Sequence, residues 1–253
     1  MGALDLLSSF TPQWLFGKPA ETASAQPAVV PLPESAATTS VAGKPAPVII
    51  DPVDPGIIDT PDLGGRLRQG KLLVASPYPD EDHLLDLDTL SRPNQLLAKA
   101  LTIMVNRTAE YAVEEYQLAF NWDQVVDGVR KLSEREGYQY PRTEFYIIVF
   151  RSQLAFDADR KQLGELDKDA HLEAVESGQL LKYWFGRPHA RTGRNLATCV
   201  WRHRDDAKKG GSGPGHIRAM EAVQGTYLEL RVERLKLVIE SHSTSWSIEK
   251  WTD

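Results

Sequence analysis

The sequence predicts an α+β domain of ferredoxin-like βαββαβ order, preceded by additional helices and a long Pro-rich arm. Three observations predict it. Apolar patterning from residue 144 onward alternates between short β-branched or aromatic runs and helical stretches. Two helical patterns precede the first of those runs. Twelve of the sixteen prolines lie in residues 1–80.

The arm comes first. TASAQPAVVPLPESAATTSVAGKPAP buries too little apolar surface to offset its ordering entropy, so residues 1–80 read as largely disordered, 18–47 most clearly. Within the arm, WLF at 14–16 is a short anchor for a partner or for the domain itself, and VIIDP at 48–52 and GIIDTP at 56–61 are apolar clips able to lie along the domain. Order is expected from about residue 84, in a single domain spanning 84–253 with a helical part at 84–140 and a ferredoxin-like part at 144–253.

In the helical part, Pro93 suits a first helical turn, and NQLLAKALTIM follows it. A second helix opens at Asn121, where Gln124 completes a capping-box spacing; Val125, Val126, Val129 and Leu132 share a face, and Gly137 marks the stop. EFYIIVF at 144–150 reads as a strand buried on both faces. The next helix carries Leu163, Leu166, Ala170 and Ala174 on one face and ends at Gly178. LLKYWF at 180–185 and LATCVW at 196–201 pair as a hairpin, HIRAMEAV is a helix, and RLKLVIE at 234–240 is the final strand. AHLEA at 170–174 and GHIRA at 215–219 form a faint internal repeat, one histidine per half.

Composition narrows the function. A net charge of −6 over 253 residues argues against a nucleic-acid partner, which needs a basic face. The single Cys199 excludes an internal disulfide and zinc sites built on cysteine pairs, and reads as an inert core thiol in a reducing compartment. No window reaches the roughly 20 apolar residues of a membrane span. The N-terminus lacks the basic region of a secretory signal, so the cytoplasm is the default location.

The stretch CVWRHRDDAKKGGSGPGH at 199–216 poses the sharpest question. Counting from Gly210 puts Gly215 in P-loop register, but His216 and Ile217 stand where lysine and a hydroxyl are needed. The dinucleotide pattern fails as well, because His216 stands where the third glycine belongs. The glycines therefore read as a flexible approach to a helix, whose first N–H groups remain able to take an anion such as a carboxylate.

His171 and His216 are the acid or base candidates, since imidazole alone titrates near neutrality; the simpler reading of each is a hydrogen-bonded histidine at a helix edge. Tyr183, Trp184, Phe185 and Trp201 divide between the two sheet faces, either as core or as an aromatic pocket wall. Arg202, directly after a strand, is either solvated or holds an acidic group bidentately, and His203 adjoins it. No metal ligand set shares a helix, and haem on a single histidine stays open.

GELDKDAHLEAVESGQLLKYWFG, RNLATCVWRHRDDAKKGGSGPGHIRAM and SWSIEKWTD resemble a protein family of filamentous fungi with no assigned activity. The resemblance covers roughly residues 84–253 and implies a fungal origin. More loosely, VWRHRDDA followed by GH is similar to the dimeric α/β-barrel superfamily, in which ferredoxin-like units pair their sheets around a cavity that hosts monooxygenases, cyclases, dehydratases and haem enzymes. The resemblance implies a cavity and no single chemistry. Helices ahead of the first strand would cover the sheet face that pairs in such dimers, which puts a homodimer in doubt.

Three functions follow. The first is a small-molecule tailoring enzyme of lyase, cyclase or oxygenase type without a cofactor, using a histidine in an aromatic pocket. The second is a scaffold acting through the Pro-rich arm. The third, a CoA-dependent acyltransferase, rests only on the glycine-rich stretch.

Overall fold

The computed structural model describes residues 67–68 and 71–252. Residues 18–47, read from the sequence as disordered, and the WLF, VIIDP and GIIDTP stretches all lie outside the described residues. The ordered chain begins ahead of residue 84. Two-residue strands β1 (Leu67–Arg68), β2 (Leu72–Leu73) and β3 (Leu85–Asp86) form a small antiparallel sheet. Leu73, Ala75 and Ser76 are buried, and the Tyr183 N–H donates to the Ala75 carbonyl at 2.9 Å. Residues 71–80 thus pack on the domain, where the proline count alone assigns them to the arm.

Helix α1 (Arg92–Ala100) has Pro93 in its first turn, as the sequence predicts. After the short α2 (Tyr116–Ala119) comes α3 (Trp122–Arg135), which buries Val125, Val126, Val129 and Leu132 and stops before Gly137, whose φ is +62°. Asn121 starts α3 for a different reason than the capping box implies. Its side chain makes no cap hydrogen bond to the helix; it accepts from the Val105 N–H at 2.8 Å and donates to Ile103 O at 3.0 Å and Gln124 Oε1 at 2.7 Å. The preceding loop is tied to the helix start in this way.

The main sheet holds β4 (Thr143–Leu154), β5 (Leu180–Phe185), β6 (Arg194–Trp201), β7 (Tyr227–Ile239) and β8 (Trp246–Lys250), in the order β5-β6-β4-β7-β8 with every neighbouring pair antiparallel. Helix α4 (Arg160–Ser177) joins β4 to β5; α5 (Arg204–Gly210), α6 (Pro214–Glu221) and α7 (Val223–Thr226) lie between β6 and β7. The first four strands give the ferredoxin-like βαββαβ topology. Two features differ from expectation: RDDAKKG within the glycine-rich stretch is a helix of its own, and the C-terminal SWSIEKWTD adds an edge strand, β8. Trp246 and Ile248 on β8 pack against the core, which supplies the alternation of a strand even in a run this short.

One sheet face carries Phe145, Ile147, Val149, Val200, Leu235 and Leu237, which join Leu96, Leu97, Trp122, Val125 and Val129 in a single apolar core. The chain's own N-terminal helices therefore cover this face of the sheet. The other face carries Tyr146, Ile148, Cys199 and Tyr183. Among the described residues no helix is long and apolar enough to cross a membrane.

Candidate functional site

Three elements converge at the β5 edge of the sheet. Helix α4 is N-capped by Asp159, whose carboxylate accepts from the Lys161 and Gln162 amides. Helical spacing then sets Asp167 and His171 four residues apart, on adjoining turns of one face. Strand β5 supplies Tyr183 and Phe185, and the 75–83 segment supplies Tyr78 and His83. Tyr183 donates to Asp167 Oδ1 at 2.5 Å, and Tyr78 donates to Asp167 Oδ2. His83 and His171, 2% and 5% exposed, meet through their Nδ1 atoms at 2.8 Å. In such a contact one imidazole donates and the other accepts, so the two rings hold opposite tautomers. The Tyr78 ring lies 5.1 Å from each imidazole centroid, and Tyr183 lies 5.5 Å from His171.

Burial governs the electrostatics. It lifts the Asp167 carboxyl above the usual carboxylate range, against the two phenol hydrogen bonds, which pull it down. The Tyr78 and Tyr183 phenols are pushed up by burial and by the Asp167 charge. Burial, together with His83 and His216 nearby, lowers His171 to about 3, so this imidazole is neutral at ordinary pH. Burial pushes up the Cys199 thiol, which keeps it protonated and unreactive. His171 has its Nδ1 on His83, and its ring is flanked by Tyr78 and Tyr183.

The glycine-rich stretch has an anion, and it belongs to this chain. Glu173 on α4 accepts from the Gly215 N–H, from the His216 N–H at 3.0 Å and from His216 Nδ1 at 3.1 Å. Burial opposes its charge, but these amides and the imidazole outweigh burial and hold the carboxyl below its usual range. A Cβ at Gly213 would lie 2.5 Å from Glu173 Oε2, and one at Gly215 would lie 2.9 Å from Oε1. Glycine is required at both positions so that the carboxylate can reach the α6 N-terminus. A pyrophosphate reading of this loop, and with it the acyltransferase, loses its anion site to Glu173.

A family profile described as PB2B2.08-like matches residues 74–250. The chain belongs to this family. The UPF0643 protein PB2B2.08 of Schizosaccharomyces pombe is 39% identical over 181 residues, covering 69% of this chain and 82% of that protein. The fungal relationship expected from the sequence is thus shown, with a fission yeast relative. Among solved structures, Rv0793 from Mycobacterium tuberculosis is 15% identical and covers 36% of this chain and 92% of that one, with a TM-score of 0.32. SnoaB, a cofactor-independent oxygenase from Streptomyces nogalater, is 9% identical, with 36% and 90% covered and a TM-score of 0.31. A dimeric ferredoxin-like protein from Thermobifida fusca is 11% identical, with 38% and 92% covered and a TM-score of 0.30. The ferredoxin-like assignment itself rests on this family member's own strand order.

Of the residues the sequence singles out, the structure brings His171 and Tyr183 together and sets His216 beside them on Glu173. Trp184 lies on the opposite sheet face, edge-on to Phe120 at 4.9 Å and to Tyr111 at 5.4 Å. Trp201 is buried beside Gly210, where any Cβ would strike its ring. Arg202 does hold an acidic group bidentately, but that group is Asp206 on its own chain, at 2.8 and 2.6 Å. His203 N-caps α5, accepting from the Asp205 N–H at 3.3 Å. Sequence reasoning missed Tyr78, His83, Asp167 and Glu173. The i, i+4 spacing of Asp167 and His171 was a usable signal, whereas Tyr78 and His83 fell in a segment that reads as arm.

Proposed function

We propose that this protein binds a small organic molecule over Asp167 and moves a proton there, as a tailoring enzyme of lyase, cyclase or oxygenase type. The observation that carries this reading is a half-buried carboxylate held by two phenols, with no cation paired to it among the described residues. Burial makes Asp167 a stronger base than a free carboxylate, and the two phenols fix the direction of its lone pairs. His171, kept neutral by its surroundings, is a hydrogen-bonding wall, and the His216–Glu173 pair places a second titratable group within reach of the Asp167 charge. Phe185, 38% exposed and 5.7 Å from Tyr183, gives the site an outer apolar side. Trp184, Trp201, Arg202 and His203 have local partners and do not enter the proposal.

Native mass spectrometry of the full-length protein from a fungal host tests this reading, with the Asp167→Asn variant alongside. Wild type is expected to retain a small molecule and the variant to lose it by at least about tenfold, because a charged hydrogen-bond acceptor is removed. The variant should also gain about 1 kcal/mol of stability at neutral pH, since a desolvated charge disappears. A variant that retains the ligand at the wild-type level overturns the proposal. So does a wild type that carries no ligand and gives no thermal shift with a fungal metabolite extract.

A further inference from the structure

A cavity of about 430 Å³ opens between the first turns of α3 and the turn joining β7 to β8; it is lined by Asp123, Val126, Asp127 and Arg130 and by residues 243–246. Its size falls within the range of roughly 300–1,000 Å³ seen for small-molecule pockets. The turn that forms one wall is strained, because His242 and Ser243 have φ of 59° and 52°, the left-handed region that non-glycine residues avoid. The strain is held by the His242 N–H on Tyr140 O at 2.7 Å and the Ser243 N–H on Glu240 O at 2.9 Å. Such strain persists where the surroundings over-determine it, commonly at binding sites. Ser243 is 5% exposed, and its buried hydroxyl has no hydrogen-bond partner.

The charges of the lining are settled among themselves with one exception. Asp127 pairs with Arg130 and Lys131, and Arg130 also pairs with Glu134. Asp123 Oδ1 accepts the Trp246 indole N–H at 2.9 Å, and among the described residues no cation pairs with this carboxylate. Beside the paired Asp127 and Arg130, the cavity therefore offers one carboxylate acceptor without a cation, the Ser243 and Ser245 hydroxyls as donors or acceptors, the Thr244 oxygen as an acceptor because its proton goes to Ser241 O, and an indole with Val126 as an apolar side. It repels anions. Ligand hydroxyls that both donate and accept match this set, and a C–H face matches the indole.

We propose that this cavity binds a neutral polyhydroxylated molecule of the monosaccharide class. It is separate from the Asp167 site and does not depend on the function proposed for that site. Saturation-transfer NMR on the full-length protein tests it, with glucose, mannose and galactose as probes, gluconate as the anionic control and putrescine as the cationic one. At least one neutral sugar is expected to receive saturation and gluconate none. Asp123→Asn keeps the acceptor for the indole and removes the charge, and it should weaken that sugar by about tenfold. Thr244→Val should also weaken it, with the thermal midpoint unchanged in both variants. No transfer to any of the three sugars overturns the proposal. Preferential binding of putrescine, or undiminished sugar binding in both variants, overturns it as well.

Discussion

The two faces of the main sheet are built from the same strands and have opposite characters. On one face Phe145, Ile147, Val149, Leu235 and Leu237 meet α1 and α3 in an apolar core. Across the sheet, beneath α4 and α6, the layer includes Tyr183, Cys199, Asp167, His171, Glu173 and His216, with hydroxyls, imidazoles and carboxylates bonded to one another. Period-two alternation permits this division, since each strand sends successive side chains to opposite faces. The difference teaches that the additional N-terminal helices serve stability on the first face, while the buried imidazoles and the Asp167 carboxyl gather on the second.

The strongest way to break the comparison is to open the apolar face. Phe145→Ala removes a fully buried ring and should cost about 3–5 kcal/mol by urea unfolding, whereas Tyr183→Phe on the other face should cost about 1 kcal/mol. Equal costs would show that the polar face carries as much of the fold as the apolar one.

Acid sharpens the contrast. His171 has a folded pKa of about 3, below the ordinary histidine value of 6.5. The unfolded chain therefore binds the extra proton between those limits, so stability is whole above about pH 6.5 and falls as the pH drops toward 3. The loss is on the order of 5 kcal/mol over that range and about 3 kcal/mol by pH 4, and His171→Phe should flatten the slope measured between pH 6.5 and 4 even if the variant is less stable overall.

A smaller effect belongs to the glycine-rich stretch. Gly213→Ala should cost about 1–3 kcal/mol, because its Cβ displaces the Glu173 carboxylate. Combining it with Glu173→Ala should cost less than the sum of the two single changes, which a double-mutant cycle reads directly. Smallest of all, Arg202→Ala breaks an exposed ion pair with Asp206 and should change the melting free energy by less than about 0.5 kcal/mol. A larger loss would assign Arg202 a role beyond that pair.

Much of the architecture was legible because it follows local rules. Pro93 and Gly137 bound helices through backbone geometry, and the β5 range 180–185 and the α4 stop at Gly178 follow directly from pattern. Helix α5 was hidden because Gly210 and its glycine-rich neighbours mask seven helical residues, and β8 was hidden because its five residues alternate too briefly to stand out.

The candidate site was legible only in part. His171, His216 and Tyr183 stand out by residue type, but their partners come from elsewhere in the chain: Tyr78 is 89 residues from Asp167, and His83 is 88 from His171. Arg202 shows the limit from the other side, since the sequence left it either solvated or recruited by a ligand, and the structure pairs it with Asp206 of its own chain.

The sequence by itself determined the βαββαβ order of the ferredoxin-like part, the helix stops and the residue types able to titrate, because hydrophobic period, glycine and proline geometry and side-chain pKa act over a few neighbouring residues. Only the tertiary structure decided which face the N-terminal helices cover, that residues 71–80 join the domain, and that Glu173 fills the glycine-rich loop. Those outcomes depend on contacts between segments tens of residues apart, whose free energy appears only once the chain has closed around them.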